Sequence, residues 1–178
     1  MTTYVAFLRG INVGAHNRLT MDDLRDTLET LGFERVRTYL ASGNVAFEAA
    51  GTDAATVADE VTDAIHEAFG YDVPVMVRTR AELAAVVDGQ PFAESSDGET
   101  KRYVAFLGDD PADERVSTLD ERALPGETFV VRGREVYSEL RPAELGNGRF
   151  TDVGDVLGVP ATRRTWAVVR KVLDLASR

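Results

Sequence analysis

The sequence predicts an α+β protein with two similar halves, and three observations lead to this class. The segment Tyr-Val-Ala-Phe-Leu at 4–8 returns unchanged at 103–107, an offset of 103 − 4 = 99 residues. Apolar patterns typical of helices and of strands alternate along the chain. With 178 residues, the chain is long enough to bury a proper core, in one domain or in two small ones. Together these features predict an internal duplication of a mixed unit.

The first half has the predicted element order β-α-β-β-α-β. Its predicted elements are a strand at 4–8, a helix at 20–31, a hairpin of strands at 36–40 and 45–47, a helix at 57–69 and a strand at 73–78. Thr20 and Asp23 have the spacing of a capping box at the start of the first helix. Gly32 and Gly70 follow the two helices, where glycine commonly ends a helix in the left-handed conformation.

The second half follows the same order with less regularity. Its predicted elements are a strand at 103–107, a short helix capped by Asp110 with Pro111 at its first position, a hairpin of strands at 129–132 and 135–140, a short helix at 152–157 and a last helix at about 165–176. No final strand is evident. A capped helix at 79–87 precedes this half, so the predicted domains are 1–88, a linker at 89–101, and 102–178.

The β-α-β-β-α-β order is the pattern of the ferredoxin-like fold, so the sequence predicts two tandem ferredoxin-like halves. In that fold the first strand lies between the third and the fourth, and the fourth is at an edge of the sheet. Pro74 in the predicted fourth strand favours an edge position, because proline cannot donate a hydrogen bond within a sheet.

This strand order predicts that two polar turns meet at one end of the first sheet. The residues concerned are Arg9, Gly10, Asn12 and Gly14 in the first turn and Ser42, Gly43 and Asn44 in the second. Glycines allow backbone N–H groups to approach an anion, and a helix start lies beside the turns. Arg9 would supply a forked donor to phosphate or carboxylate. The alternative is that the Asn and Ser side chains satisfy the backbone of their own turns.

The segment from Thr162 to Trp166 contains a second anomaly. Arg163 and Arg164 lie at the predicted start of the last helix, where the helix dipole disfavours cations. Either an anionic ligand or an internal carboxylate would resolve this conflict. Trp166 is expected to pack in the core, or to stack with arginine on a ligand.

Catalysis is left open by the sequence. Ser42 and His16 are expected at the same end of the sheet, but no acidic residue orients them, so neither the catalytic residues nor a cofactor is assigned. The chain has no Cys and two His, which argues against a metal site.

The charge balance restricts the partners. Lys+Arg number 20 and Asp+Glu number 30, for a net charge of −10. Such a chain is a poor match for nucleic acid or an anionic membrane surface. The N-terminal residues lack the pattern of a secretion signal and no apolar run could span a membrane, so we expect a cytoplasmic protein. Only Lys101 and Lys171 are lysines, and the acidic, lysine-poor composition suggests adaptation to salt.

The motifs resemble those of the family known as domain of unknown function 1697. The resemblance rests on 4–14, on 36–47 with its Ser-Gly-Asn, on Pro91-Phe92, and on Thr162, Arg164 and Trp166. It implies a small α+β protein with ferredoxin-like halves and no established activity. It also implies that the signature residues are Arg9, Gly10, Asn12, Gly14, Ser42, Gly43, Asn44, Arg164 and Trp166. Ala15 and Thr165 depart from the family pattern, which commonly has Gly and Asn there.

From these features we expect a protein that binds a small anionic ligand, either a nucleotide or a phosphorylated metabolite. Arg9 and Arg164 would hold the anion, and Asn12 and Asn44 would orient it. The alternative is a protein-interaction or scaffolding module without catalysis. The oligomeric state is left open.

Overall fold

The computed structural model describes residues 1–51, 53–94, 98–144 and 149–178. Within these ranges the fold is α+β, with two four-stranded antiparallel sheets and six α-helices. The chain divides into two compact units, Met1–Val87 with Arg170–Arg178, and Asp88–Val169. This grouping differs from the predicted 102–178 half, because the last residues belong with the first unit. Residues 95–97 of the predicted linker lie outside the described ranges.

The first unit has the predicted element order. Its elements are β1 (Thr2–Leu8), α1 (Met21–Thr30), β2 (Glu34–Tyr39), β3 (Asn44–Ala49), α2 (Ala54–Phe69) and β4 (Val75–Thr79), with α3 (Arg80–Asp88) following. The strand order is β2-β3-β1-β4, so β1 lies between β3 and β4 as predicted. The predicted fourth strand began two residues too early, and Pro74 precedes β4 instead of lying within it.

The helix ends of this unit are formed by the predicted local signals. The Thr20 hydroxyl accepts from the backbone N–H of Asp23 at 3.0 Å. Gly70 ends α2 at φ 74°. Thr79 and Glu82 form a reciprocal capping box at the start of α3, with distances of 3.1 and 2.8 Å.

The second unit has the strand order β6-β7-β5-β8. Its elements are β5 (Lys101–Leu107), α4 (Asp113–Arg122), β6 (Glu127–Arg132), β7 (Glu135–Leu140), a short 3₁₀ helix (Pro142–Glu144), α5 (Val153–Leu157), β8 (Ala161–Thr165) and the start of α6 (Trp166–Ala176). Two predictions were wrong here. Asp110 does not cap α4, which begins at Asp113 after Ala112 with no side-chain cap. The final strand that the sequence did not reveal is β8.

β8 changes the interpretation of the two arginines. Arg163 and Arg164 lie in this strand and not in the first turn of the last helix, although the strand leads directly into α6 (Trp166–Ala176). Thr162 and Arg164 are buried, and the residues between and beside them are more exposed. The strand has a period of two in burial but not in hydrophobicity, which is why the apolar pattern missed it.

In each unit a core cluster joins the sheet to two helices, α1 and α2 in the first unit and α4 and α5 in the second. In the first unit Phe47 stacks on Phe33 with ring centroids 4.8 Å apart, and Tyr4 lies 6.0 Å from Phe47. Tyr4, Ala6 and Leu8 of β1 belong to this core, and Val5 and Phe7 between them are buried as well, so the strand is apolar throughout. No helix among the described residues is long and apolar enough to span a membrane.

Candidate functional site

The loop between β1 and α1 is closed by its own polar groups. The backbone N–H of Asn12 donates to the carbonyl of Asn17 at 3.1 Å, and the Asn17 amide donates to the carbonyl of Gly10 at 3.2 Å. Gly10, Asn12, Gly14 and Asn17 all have positive φ, from 48° to 72°. Glycine and asparagine tolerate this conformation best, which explains why these two residue types dominate the loop.

Asn12 joins the loop to the turn between β2 and β3. Its amide nitrogen donates to the carbonyls of Leu19 at 2.7 Å and Ala41 at 2.8 Å. Its amide oxygen accepts from the backbone N–H of Leu19 at 2.9 Å. The structure therefore brings the two predicted turns together, but through the side chain that was expected to orient a ligand. Asn12 is a positioning residue of the site.

The polar side chains of the Ser-Gly-Asn turn also form hydrogen bonds within the fold. The buried Asn44 amide donates to the carbonyl of Tyr39 at 2.7 Å and to the hydroxyl of Ser42 at 3.2 Å. At Gly43, φ is 90° and a Cβ would lie 2.8 Å from both the Leu8 Cβ and the Ile11 Cδ1. A side chain here would collide with the core, so glycine is required for packing as well as for backbone conformation.

A cavity of about 390 Å³ opens beside these turns, and we call it the α1 cavity. Its lining residues are Asn12, Arg18, Leu19, Thr20, Met21, Asp23 and Ala41. The cavity includes the start of α1, where backbone N–H groups carry a partial positive charge. Within the described ranges, the Arg18 guanidinium makes no hydrogen bond or ion pair, so it is available to a ligand.

Arg9 directly follows β1, at the start of the first polar turn. Its backbone N–H donates to the carbonyl of Pro74 at 3.0 Å, and its side chain is exposed. It has no ion-pair partner in the part of the chain that the structure describes, but it does not line the α1 cavity. Of these two arginines, Arg18 is the one that lines the α1 cavity.

Arg164 and Trp166 belong to the second unit, and the lining of the α1 cavity comes entirely from the first. Arg164 is 8% exposed and donates to the Thr162 hydroxyl at 2.7 Å and to the carbonyl of Arg163 at 3.0 Å. Burial lowers its pKa to about 10. Trp166 begins α6, and the Thr165 hydroxyl accepts from the N–H of Val168 at 3.3 Å. Thr165 thus caps the helix at the position where the family pattern commonly has Asn.

Sequence reasoning missed Arg18 and gave Asp23 only a capping role. A usable signal existed, because Arg18 lies two residues before the Thr20 cap and no acidic residue occurs before Asp22. Arg163 has the same spacing, two residues before the Thr165 cap of α6, so this signal by itself does not identify an arginine that lines a cavity. Which arginine points into a cavity depends on the path of the loop, and the spacing does not encode that path.

The second unit has a cavity of about 310 Å³ at the start of α4. Asp110, Asp113, Val131 and Gly133 are among its lining residues, and no cation is. The corresponding places of the two units therefore differ in charge, in agreement with the acidic turn that the sequence contains at 108–110.

Comparison with known proteins finds a family and a fold. Residues 1–137 match the model of a family described as "Protein of unknown function (DUF1697)". Among solved structures, the chain is similar to conserved bacterial protein SP0830 from Streptococcus pneumoniae, with a TM-score of 0.73, 19% identity and 98% coverage of each chain. At this identity the likeness concerns the fold alone. No curated protein matches.

Proposed function

The chain belongs to the DUF1697 family, whose description names no activity, and from this premise we propose that its first unit binds a small anionic ligand in the α1 cavity. The ligand class is a nucleotide or a phosphorylated metabolite. The observation that carries the proposal is the Arg18 guanidinium, which lines the cavity and has no partner among the described residues.

Two further features support an anion at this place. The first 21 residues contain no Asp or Glu, although the whole chain has 30. Arg9 adds a second exposed cation at the beginning of the same loop. A guanidinium binds phosphate or carboxylate through two parallel hydrogen bonds. Met21, Leu19 and Ala41 add an apolar wall for the rest of the ligand.

The rigid frame of the cavity is part of the proposal. The three hydrogen bonds of Asn12 hold Leu19 and Ala41 in the cavity wall before any ligand arrives. A wall fixed in advance lowers the entropy lost on binding. Asn12 and Asn44 thus act on the ligand indirectly, through the backbone that they hold.

We further propose that each unit is a ferredoxin-like half and that the two arose by duplication. The orders β2-β3-β1-β4 and β6-β7-β5-β8 support this, as does the register. Tyr4 pairs with Phe47 in the first sheet, and Tyr103 pairs with Ser138 at the corresponding place in the second.

Thermal unfolding tests the anion proposal. We expect one compound in a panel of nucleotides, sugar phosphates and polyphosphate to raise the Tm. At 100 times its Kd a ligand adds about 2.7 kcal/mol, which is roughly 5–10 °C for a chain of this size. Arg18→Ala should abolish the shift and Arg9→Ala should reduce it, with little change in the Tm of either free variant.

Arg25→Ala is the matched control, because Arg25 lies on α1, pairs with Asp22 at 3.0 Å and does not line the cavity. It should leave the ligand shift intact. A panel in which no compound moves the wild-type Tm would overturn the proposal, and so would a shift that survives in Arg18→Ala.

A protein-interaction module is the second candidate, and one observation favours it. Val13 is 63% and Leu40 51% exposed, and Leu40 has φ 61°, which is unusual for a bulky side chain. Sedimentation at increasing concentration tests self-association through these exposed side chains. A Val13→Ser, Leu40→Asn double variant should then remain monomeric where the wild type associates.

A further inference from the structure

Two opposite charges line the α1 cavity without neutralising each other. Arg18 and Asp23 both contribute to its wall, and no ion pair within 4.0 Å joins them or links either to another side chain in the described ranges. Their neighbours behave differently, because Asp22 pairs with Arg25 at 3.0 Å. The cavity therefore presents one unpaired cation and one unpaired carboxylate to whatever enters it.

This pair of charges is a poor match for a simple anion. A phosphate placed against Arg18 would also meet the negative field of Asp23, in a chain with a net charge of −10. A ligand that also carries a protonated amine would remove the conflict, because the ammonium group donates to the carboxylate as the phosphate accepts from the guanidinium. Leu19, Met21 and Ala41 supply apolar surface for the carbon atoms between the two groups.

We infer that the ligand of the α1 cavity is a small phosphorylated amine, a compound with an anionic group for Arg18 and a primary ammonium group for Asp23. The inference rests on the proposed function, and it narrows the ligand class. Specificity then comes from Asp23. A phosphate compound without the amine leaves the Asp23 carboxylate unpaired, and the two negative charges repel each other. The cavity volume of about 390 Å³ lies in the range of small-molecule sites.

Matched pairs of compounds test the inference. Phosphoethanolamine is compared with ethyl phosphate, and glucosamine phosphate with glucose phosphate, by titration calorimetry at low salt and slightly acidic pH, where the amines are protonated. In at least one pair we expect the amine to bind about fivefold more tightly than its amine-free partner, because one partly exposed charge pair contributes about that much to affinity. The preference should fall as salt is added.

Variants assign the preference to the two side chains. Asp23→Asn should abolish the preference for the amine. The variant should bind the amine more weakly, and it should bind the amine-free compound as tightly as the wild type or more tightly. Arg18→Gln should weaken both members of a pair. Asp22→Asn is the matched control, because Asp22 is in the same helical turn but outside the cavity lining, and it should keep the preference.

The outcomes separate this inference from the proposed function. If the amine-free compounds bind equally well or more tightly and Arg18 is still required, the inference of a phosphorylated amine is overturned and the proposed anion site is supported. A preference that persists in Asp23→Asn would also overturn it. If no compound of either pair binds the wild type, both the inference and the anion site fail for phosphorylated compounds of this size.

Discussion

The Asn12 side chain holds together the two turns at which the sequence predicted a site. Its side chain forms three hydrogen bonds that connect the loop after β1, the start of α1 and the turn before β3. It also stands at φ 54°, a conformation that asparagine accepts more readily than most residues. The prediction that polar residues converge here was correct, and the alternative role for the amide, satisfying the backbone, is the one observed.

Replacing Asn12 should destabilise the fold. We expect Asn12→Gly to cost about 2–3 kcal/mol, since each net hydrogen bond contributes about 0.5–1.5 kcal/mol. Asn12→Ala should cost about 1 kcal/mol more, because alanine resists positive φ. Urea denaturation measures both. Asn17→Gly is the control, with one 3.2 Å side-chain bond and an expected loss of about 1 kcal/mol.

Equal stability of Asn12→Gly and wild type would show that the amide is not needed for the fold. The fold would then require only the positive φ at residue 12, which glycine also adopts, and a direct contact of the Asn12 side chain with the ligand would become the better explanation of the asparagine. In that case the variant should lose ligand binding with no loss of stability.

The corresponding helices α2 and α5 of the two units differ in length. α2 has 16 residues and α5 has five. In the second unit Arg163 lies 4.4 Å from the Tyr103 ring centroid and 4.7 Å from that of Phe150. A guanidinium between two rings gives both packing and cation–π attraction. The second unit looked irregular in the sequence because α5 is short and β8 has no apolar pattern.

Glu127 supports the same region. Its buried carboxylate accepts from the N–H of Leu124 at 2.8 Å, from the N–H of Thr151 at 3.0 Å and from the Thr151 hydroxyl at 2.5 Å. It thereby joins β6 to the segment that leads into α5. A single acidic residue in a strand gave no signal of this role, because one of its partners, Thr151, is more than 20 residues away in the sequence.

The N-terminus of α2 provides a pH-dependent element. The N–H of Thr56 donates to Asp53 at 2.9 Å, and this bond, with that of the Thr56 hydroxyl, lowers the pKa of the Asp53 carboxyl from 3.8. A lowered pKa means that the folded state binds fewer protons, so the contribution to stability is present above the unfolded value and lost as the pH falls through the folded one.

We therefore expect wild type to exceed Asp53→Asn in stability near neutral pH, and the difference to vanish well below pH 3.8. Asparagine keeps the cap but not the charge, so the comparison isolates the ionised carboxylate. Urea denaturation of both proteins across this range measures the effect. A difference that grows on acidification would contradict the assignment.

For the molecule as a whole, charge is the dominant feature. A net charge of −10, with 18 of the 20 basic residues arginine, produces self-repulsion that opposes the compact state. Raising the salt from about 0.1 M to 1 M shortens the Debye length from roughly 10 Å to 3 Å and screens that repulsion. We expect the Tm to rise in molar KCl.

A scan of Tm against KCl concentration checks this expectation, with glycerol at matched osmolality as the control for general solvent effects. A protein that is fully folded and monodisperse in dilute buffer, with no gain in Tm from KCl, would show that the acidic composition is not an adaptation to salt. The anion titrations belong at low salt for the same physical reason, because screening weakens exposed charge pairs.

Local signals in the sequence were enough to place most of the fold. The caps at Thr20 and Thr79, the glycine at 70 and the hairpin around Gly133 all depend on contacts within a few residues, so the chain encodes them wherever they occur. The order of the strands followed from the order of these elements, and β1 lies where that order predicted.

Contacts between distant residues decided the rest. The tertiary structure made β8 a strand by pairing Arg164 with Val104, although Thr-Arg-Arg-Thr has no apolar pattern of its own. It also turned Arg18 into the α1 cavity and left Arg9 outside its lining. Burial and side-chain direction depend on which segments meet after the chain has folded, and a linear pattern carries that information only where apolar residues mark the buried face.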